Sequence, residues 1–264
     1  MKTSSLKSKI QSGLIGSIVA LSLIGSAIPD TNAQGVKNVV LVHGAFADGS
    51  GYRALYASLT QKGYHVTIVQ NPLTSLEDDV AATNVVLDKQ DGPVILAGHS
   101  WGGAVITQAG NHPKVAALVY IAAFQPGNGE TALQWLQTAP PAPENGVLAP
   151  DEKGIVYYDK AKYHAGFCAD LSKEEADFMF ASQGAFYAKG FATPITKAAW
   201  MNKPTYGLVA TEDKSIAPEI QRAMYKRSNT KVTEVKGSHV IYMSQPDAVA
   251  KVIVEAAGKE TVGK

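Results

Sequence analysis

The sequence G-H-S-W-G-G at residues 98–103 decides the fold. It contains the pattern G-x-S-x-G, with the apolar run V-I-L-A directly before it and the helical pattern W-G-G-A-V-I-T-Q-A directly after Ser100. A buried strand, a sharp turn and a helix are the setting in which this pattern carries a nucleophilic serine. Gly98 and Gly102 permit the close approach of strand and helix. We therefore predict that the turn presents the Ser100 hydroxyl above the sheet.

An acidic residue and a histidine follow the serine along the chain, each just after a predicted strand. Asp213 ends the sequence T-E-D, and His239 ends the sequence G-S-H. The histidine is predicted to act as a general base toward Ser100, and the carboxylate to hold the imidazole in the required tautomer. Glu212 is the near rival of Asp213, which is favoured because it lies three residues before Ile216.

A third cluster, V-L-V-H-G-A-F at 40–46, ends the first predicted strand. The N–H of Ala45, together with the N–H of Trp101, is predicted to form an oxyanion hole. His43 precedes the serine and is interpreted as structural. The order serine, acid, histidine is that of α/β-hydrolases, and it differs from the order in trypsin-like and subtilisin-like proteases.

The remaining sequence favours an α/β fold. From Val36 onward, apolar runs alternate with helical segments, which predicts a mostly parallel sheet of about six strands with helices on both faces. The alternation stops between about 125 and 199, a stretch too long for a crossover connection. We predict a helical lid here, inserted after the fourth predicted strand. The 264 residues, 45% of them hydrophobic, suffice for one hydrolase domain over 34–264.

The N-terminus has the pattern of an export signal. Three lysines occur within the first nine residues, an apolar run follows over 14–28, and small residues precede Gln34. Residues 1–33 are therefore predicted to be a signal peptide, and the mature protein to be periplasmic or secreted by a bacterium. A retained membrane anchor is the alternative. After cleavage, no stable membrane insertion is expected.

The composition argues against several other classes of protein. With 24 basic and 23 acidic side chains, the chain has no electrostatic bias toward nucleic acid. A single cysteine, Cys168, excludes an intrachain disulfide, and no neighbouring histidine supports it as a nucleophile. The six histidines lack metal-binding spacing. No metal or other cofactor is therefore expected.

These motifs together resemble the α/β-hydrolase superfamily, and within it the branch that holds plant methyl esterases, hydroxynitrile lyases and bacterial aryl- or pyrethroid-ester hydrolases. The resemblance extends over about residues 36–258 and is weak in the predicted lid. It implies a Ser–His–Asp triad and no cofactor. The positions of this sequence that match the triad are Ser100, His239 and Asp213.

Two positions depart from the pattern of the lyases in this branch. The lyases carry threonine where this chain has Gly44, and lysine where it has Val240 directly after the histidine. The positive charge that would stabilise cyanide is therefore missing. The aspartate nucleophile of the related dehalogenases and epoxide hydrolases is missing too, because Ser100 occupies that position.

The motifs therefore predict a serine carboxylesterase that cleaves esters of small apolar or aromatic molecules through an acyl-enzyme intermediate. The alternatives are a cofactor-free lyase or perhydrolase on the same site, and a ligand-binding protein that retains a hydrolase site. Aromatic side chains are expected to form an apolar substrate pocket, with at most half of the candidates in its wall. The candidates are Phe46, Phe124, Tyr157, Tyr163, Phe178 and Trp200, besides Trp101.

Overall fold

Short runs of β-branched and other apolar residues form a central sheet. The computed structural model of the chain describes residues 35–258. Its strands are β1 (Asn38–Val42), β2 (His65–Val69), β3 (Val94–His99), β4 (Val115–Ile121), β5 (Ile155–Val156), β6 (Phe186–Tyr187), β7 (Thr205–Ala210) and β8 (Lys231–Val235). Six of them form one sheet in the order β2-β1-β3-β4-β7-β8, and every neighbouring pair is parallel. The predicted parallel sheet of about six strands is confirmed.

Helices connect the strands, because parallel neighbours require crossover connections. The helices are α1 (Arg53–Gln61), α2 (Leu76–Asp88), α3 (Trp101–Ala109), α4 (Ala132–Leu136), α5 (Lys160–Phe167), α6 (Lys173–Ser182), α7 (Lys189–Ala192), α8 (Pro218–Arg227), α9 (Ile241–Ser244) and α10 (Pro246–Ala256). Capping signals mark several starts: Ser75 accepts the Asp78 N–H at the start of α2, and a proline opens both α8 and α10. Helices α1 and α10 pack together, as do α2 and α3.

The chain leaves the sheet after β4 and returns to it in β7. Between these strands it forms helices α4 to α7 and the two-stranded antiparallel sheet of β5 and β6. Helix α6 begins with a capping box, in which the side chains of Ser172 and Glu175 each accept the backbone N–H of the other. These elements occupy the place predicted for the lid, and we refer to residues 125–199 as the insertion.

The carboxyl ends of the strands bring four loops to one edge of the sheet. Ala45 follows β1, Ser100 follows β3, Asp213 follows β7 and His239 follows β8. Binding sites of open α/β sheets form at this edge. The fold itself therefore brings residues together that are far apart along the chain.

No helix within residues 35–258 is long and apolar enough to span a bilayer. The predicted signal peptide, residues 1–33, lies outside the described residues. Export therefore stays a prediction.

Candidate active site

The turn that carries Ser100 has a backbone conformation that residues other than glycine rarely adopt. Ser100 has φ 53° and ψ −120°, between the end of β3 and the start of α3. Two glycines make the turn possible, because a Cβ on Gly98 would lie 2.4 Å from the Gly102 carbonyl oxygen, and one on Gly102 would lie 2.3 Å from the Val42 carbonyl oxygen. Strand and helix therefore approach closely, and the Ser100 hydroxyl projects toward His239.

Ser100, His239 and Asp213 form one continuous hydrogen-bonded chain. The Ser100 hydroxyl lies 2.8 Å from His239 Nε2, and His239 Nδ1 lies 2.7 Å from Asp213 Oδ2. All three side chains are buried. An imidazole that donates from Nδ1 to the carboxylate has Nε2 free to accept the serine proton. Glu212, the rival acid, instead makes an exposed ion pair with Lys236.

Several donors hold the Asp213 carboxylate in place. Its Oδ1 accepts the N–H groups of Ser215 at 2.8 Å and Ile216 at 2.9 Å, which explains the three-residue spacing between the acid and Ile216. Its Oδ2, which faces the imidazole, also accepts Nε2–H of Gln221 at 2.8 Å. Three donors besides the histidine thus orient the carboxylate.

Gln221 belongs to the site although its sequence context did not identify it. It is fully buried on α8, on the face that also carries Met224 and Tyr225. Its side-chain nitrogen donates to both Asp213 Oδ2 and the Ile216 carbonyl oxygen. The sequence feature that could have identified Gln221 is its position as a polar residue on the apolar face of an amphipathic helix.

The two residues of the predicted oxyanion hole lie in or beside the turn over residues 98–102, which we call the nucleophile turn after the predicted role of Ser100. Ala45 borders the same cavity as Ser100. Trp101 is the first residue of α3, so its N–H has no acceptor within the helix. Phe46, directly after Ala45, has φ 58°, and its carbonyl oxygen accepts the Tyr163 hydroxyl at 2.7 Å. This placement is compatible with the predicted role of the two amides.

The two positions that separate this chain from the lyases offer neither a hydroxyl nor a charge. A Cβ on Gly44 would lie 2.7 Å from Ser100 Cβ and 3.0 Å from the His99 carbonyl oxygen, so a threonine there would displace the nucleophile turn. Val240 is fully buried. The cavity wall does contain a lysine, but it is Lys214, in the loop that carries the acid.

Asp79 is a second buried carboxylate near the nucleophile turn. Its Oδ2 accepts the indole N–H of Trp101 at 2.7 Å, and its Oδ1 accepts the N–H of Leu73 at 2.7 Å. Burial raises the pKa of Asp79 to about 6 despite these two hydrogen bonds. The indole is held against Asp79 and is not part of the cavity wall.

Two other histidines at the strand ends make structural hydrogen bonds. His43 Nε2 accepts the Asn71 N–H at 2.9 Å, so Nδ1 carries the proton and donates to the Gly44 carbonyl oxygen. His99 Nε2 donates to the His239 carbonyl oxygen at 2.9 Å, and the two rings lie 4.6 Å apart. Burial lowers the pKa of both His43 and His99, which favours the neutral form of each ring.

A cavity of about 630 Å³ lies at Ser100 and His239. Its wall is mostly apolar, and the insertion supplies much of it. Two of the six predicted pocket residues, Phe46 and Phe124, belong to the wall. The apolar side chains of the wall include Phe46, Phe124, Leu136, Ala139, Pro140, Pro141, Tyr158, Phe167, Phe191, Ile216 and Ile220.

The other four predicted pocket residues lie outside the cavity wall. Tyr163 is buried behind the wall, where its ring stacks on Phe167. Trp200 donates its indole N–H to a backbone carbonyl. Tyr157 and Phe178 are at the surface, 47% and 62% exposed. None of these four side chains therefore borders the cavity in which we expect the substrate to bind.

The described residues offer little for thiol or metal chemistry. Cys168 is buried, its thiol lies against the Tyr163 carbonyl, and burial raises its pKa to about 12. Within residues 35–258, no group of three or more His, Cys, Asp or Glu side chains is arranged to hold a metal ion.

Comparison with known proteins identifies the family. A model described as the Alpha/beta hydrolase family matches residues 39–252. The chain belongs to this family. A pyrethroid hydrolase from Sphingobium wenxiniae is 27% identical over 259 residues, which cover 84% of this chain and 88% of that protein. A carbendazim hydrolyzing esterase from a Nocardioides species is 34% identical over 120 residues, which cover 40% of this chain and 50% of that protein.

A solved structure shows the same fold. The pyrethroid hydrolase PytH superposes with a TM-score of 0.73 at 24% identity, over 86% of this chain and 100% of that chain. The α/β-hydrolase fold expected from the order of the motifs is confirmed, and so is the resemblance to this superfamily.

Proposed function

We propose that the protein is a serine hydrolase that cleaves carboxylic esters. The observation that carries the proposal is the hydrogen-bonded chain of Ser100, His239 and Asp213 beside an apolar cavity. The names of the pyrethroid-hydrolysing and carbendazim-hydrolysing relatives support the reaction class. Ser100 is then the nucleophile, His239 the general base and later the general acid, and Asp213 the group that orients and stabilises the imidazolium.

The proposed reaction has two halves. Ser100 Oγ attacks the ester carbonyl carbon while His239 Nε2 takes the hydroxyl proton. The resulting oxyanion accepts hydrogen bonds from the backbone N–H groups of Ala45 and Trp101. His239 protonates the leaving alkoxide, and the alcohol departs from the acyl-enzyme. Water then gives a proton to His239 and attacks the acyl carbon. Collapse of the second oxyanion returns the proton to Ser100 and releases the carboxylic acid.

The cavity wall supports a substrate that is uncharged and largely apolar. Phe46, Phe124 and Phe191 offer aromatic surfaces. The wall also carries polar side chains besides the triad, among them Gln137, Thr138, Asn145 and Lys214. A volume of about 630 Å³ lies within the range of pockets that enclose a drug-sized molecule. An ester of an apolar or aromatic acid or alcohol fits both the size and the character of this wall.

Ester hydrolysis is favoured over cyanohydrin cleavage at this site. Departing cyanide needs a nearby cation, and the buried Val240 offers none beside His239. Gly44 provides no hydroxyl for the cyanohydrin oxygen, and its surroundings leave no space for a side chain. Ester hydrolysis needs only the triad and the two amides.

The direct test is a substrate panel with the purified protein and its Ser100→Ala variant. The panel contains p-nitrophenyl esters of increasing acyl length, methyl esters of aromatic acids, lactones and mandelonitrile. We expect multiple turnovers of small aryl or alkyl esters, negligible release of cyanide, and labelling of Ser100 by a fluorophosphonate. A single slow turnover would instead indicate a ligand-binding protein. Comparable turnover of esters and mandelonitrile would indicate that Lys214 supplies the charge for a lyase.

We also propose that the chain is exported from a bacterial cell and cleaved after residue 33. The support is the N-terminal sequence, with its basic start, apolar run and small residues before Gln34. Mass spectrometry of protein recovered from the periplasm or the medium should give an N-terminus near Gln34. An intact Met1 in that fraction would count against cleavage here.

A further inference from the structure

Helix α5 and the turn after it, residues 160–170, contact three of the loops that carry the candidate catalytic groups. The first contact is to the Ala45 loop. The Tyr163 hydroxyl donates to the Phe46 carbonyl oxygen at 2.7 Å, and Tyr163 is fully enclosed by the protein. Phe46 has φ 58°, so this hydrogen bond fixes a residue whose backbone conformation is unfavourable on its own.

The second contact is to the loop that carries the acid. The Ser215 hydroxyl donates to the Gly166 carbonyl oxygen at 2.9 Å, and the N–H of the same serine donates to Asp213 Oδ1 at 2.8 Å. Gly166 is itself fixed by close packing, because a Cβ there would lie 2.2 Å from the Glu144 carbonyl oxygen. One residue, Ser215, therefore links α5 to the acid.

The third contact is to the loop that carries the histidine, and Asp170 makes it. Asp170 Oδ2 accepts the Ser238 N–H at 2.8 Å and the Ser244 hydroxyl at 2.7 Å, and Oδ1 accepts the Ser238 hydroxyl. Ser238 directly precedes His239 and is buried, while Ser244 ends α9. One carboxylate therefore binds both the residue before His239 and the end of the helix that follows the histidine.

We propose that residues 160–170 position the catalytic loops relative to one another, and that Asp170 is the positioning residue for the general base; this inference rests on the proposed serine-hydrolase function. The loop that carries His239 lies beyond the end of β8, outside the parallel pairing of the sheet. Besides Asp170, His99 binds the carbonyl oxygen of His239, and the Glu212 N–H binds the carbonyl oxygen of Gly237. Charge-assisted hydrogen bonds such as those of Asp170 are stronger than bonds between neutral groups. Proton transfer from Ser100 to His239 depends steeply on how well their geometry is held. The insertion thus acts on the chemistry as well as on the shape of the cavity.

The test is the substitution Asp170→Asn. Asparagine keeps the size of the side chain but removes its charge, so all three hydrogen bonds lose their charge assistance. The Ser238 hydroxyl can keep its hydrogen bond only by accepting from the amide instead of donating to a carboxylate oxygen. We expect kcat for p-nitrophenyl acetate to fall about tenfold while KM changes by less than about twofold, because the cavity wall is unaltered. The thermal unfolding midpoint should stay within a few degrees of the wild-type value.

Two further variants make the test specific. Asp177→Asn is the matched control, because Asp177 belongs to the same insertion but is exposed and pairs with Lys173 within α6; it should leave kcat and KM unchanged. Ser244→Ala removes one of the three hydrogen bonds and leaves the carboxylate intact. It should lower kcat about two- to threefold, and it decides the question if Asp170→Asn does not fold.

A second measurement needs no substrate. The proton between His239 Nδ1 and Asp213 can be followed by its low-field proton NMR resonance, which should broaden or shift in Asp170→Asn and persist in Asp177→Asn. Wild-type kcat and an unchanged resonance in Asp170→Asn would overturn the proposal. So would a loss of kcat that parallels a loss of thermal stability while the resonance is unchanged. If the wild-type protein hydrolysed no ester, the proposed function would fail, and the resonance would still report on Asp170.

Discussion

Ser100, Asp213 and His239 lie on loops that directly follow strands of the sheet, whereas much of the cavity wall belongs to the insertion. The strands of a parallel sheet end at one edge, so the place of a motif along the chain fixes where its side chain lies. The insertion has no such template, and its side chains reach the cavity through the packing of short helices and a two-stranded sheet. We therefore expect substitutions in the first region to act on kcat and those in the wall to act on KM.

Loss of the nucleophile should give the largest effect in the first region. Ser100→Ala should lower kcat by roughly 10⁴- to 10⁶-fold, because it removes the atom that forms the acyl-enzyme. Adding His239→Ala should cost little more, since the residues act as a unit. Steady-state kinetics with a p-nitrophenyl ester measures both variants. If Ser100→Ala retained a tenth of the wild-type activity, a serine mechanism would be wrong.

The acid should matter somewhat less than the nucleophile. Asp213→Asn should lower kcat by roughly 10³- to 10⁴-fold, because the neutral amide stabilises the wrong imidazole tautomer. Glu212→Gln is the matched control: Glu212 is the adjacent acid and makes only an exposed ion pair. Its kcat should equal that of the wild type. A reversal of the two results would assign the role of the acid to Glu212.

The buried carboxyl of Asp79, which binds the Trp101 indole, should make the free energy of unfolding depend on pH. Its pKa of about 6 lies above the ordinary value of 3.8, so the folded protein binds this proton more tightly than the unfolded chain does. The contribution of Asp79 to the free energy of unfolding is therefore present below about pH 4 and lost as the pH rises through about 6, with a size of up to about 3 kcal/mol. Urea unfolding between these pH values should show this loss of stability in the wild type, and the loss should be absent in Asp79→Asn, which has no carboxyl at this position.

Asp78 provides a control of opposite sign for that measurement. Hydrogen bonds from Thr74 and Ser75 lower the pKa of this exposed carboxyl. Its contribution to stability is therefore present at neutral pH and lost in acid. Asp78→Asn should leave the pH dependence assigned to Asp79 in place. The assignment to Asp79 would fail if both variants changed the pH dependence in the same direction.

The wall of the cavity should show the smallest effect and a different kinetic signature. Leu136→Ala removes an apolar contact from the wall, so it should raise KM for a bulky aromatic ester roughly tenfold and change kcat by less than about twofold. Leu133→Ala is the matched control, because Leu133 lies on the same helix α4 but outside the wall. An equal loss of kcat in Leu136→Ala would remove the distinction between the two regions.

The same distinction decides what was predictable from the sequence. Ser100, Asp213 and His239 each lie just after a strand, and the sheet brings the ends of these strands to one edge, so the local sequence pattern sufficed to predict where the three residues lie. The close approach at Gly98 was predictable for the same reason, because a strand, a turn and a helix follow one another without a gap. These placements follow from local sequence and from the geometry of a parallel sheet, without knowledge of long-range contacts.

The cavity wall was less predictable, because composition does not reveal which face of a short element points inward. Tyr157 and Tyr158 are neighbours in extended chain beside β5, where successive side chains point to opposite sides. Tyr158 lines the cavity, and Tyr157 is exposed. On α6, Phe178 is exposed although the next residue, Met179, is buried. An aromatic side chain alone therefore does not identify a pocket residue.

Asp170 and Gln221 illustrate a second limit. Each binds a loop or side chain of the candidate triad through hydrogen bonds that depend on how separate elements pack. Asp170 lies in a loop between α5 and α6, 68 positions before its partner Ser238. An acidic residue in a loop is usually solvated, so nothing in the neighbouring sequence distinguishes it. Such residues become visible only when the insertion is placed over the sheet.

The backbone conformation of Ser100 lowers the stability of the fold at the residue on which the proposed activity depends. A residue with a Cβ at φ 53° and ψ −120° is disfavoured by roughly 1–3 kcal/mol relative to a relaxed conformation, and glycine would avoid most of that cost. Directed evolution that rewarded heat resistance alone would therefore favour glycine at position 100 and would remove the proposed nucleophile. A search for heat-resistant variants of this protein has to screen for turnover at every round.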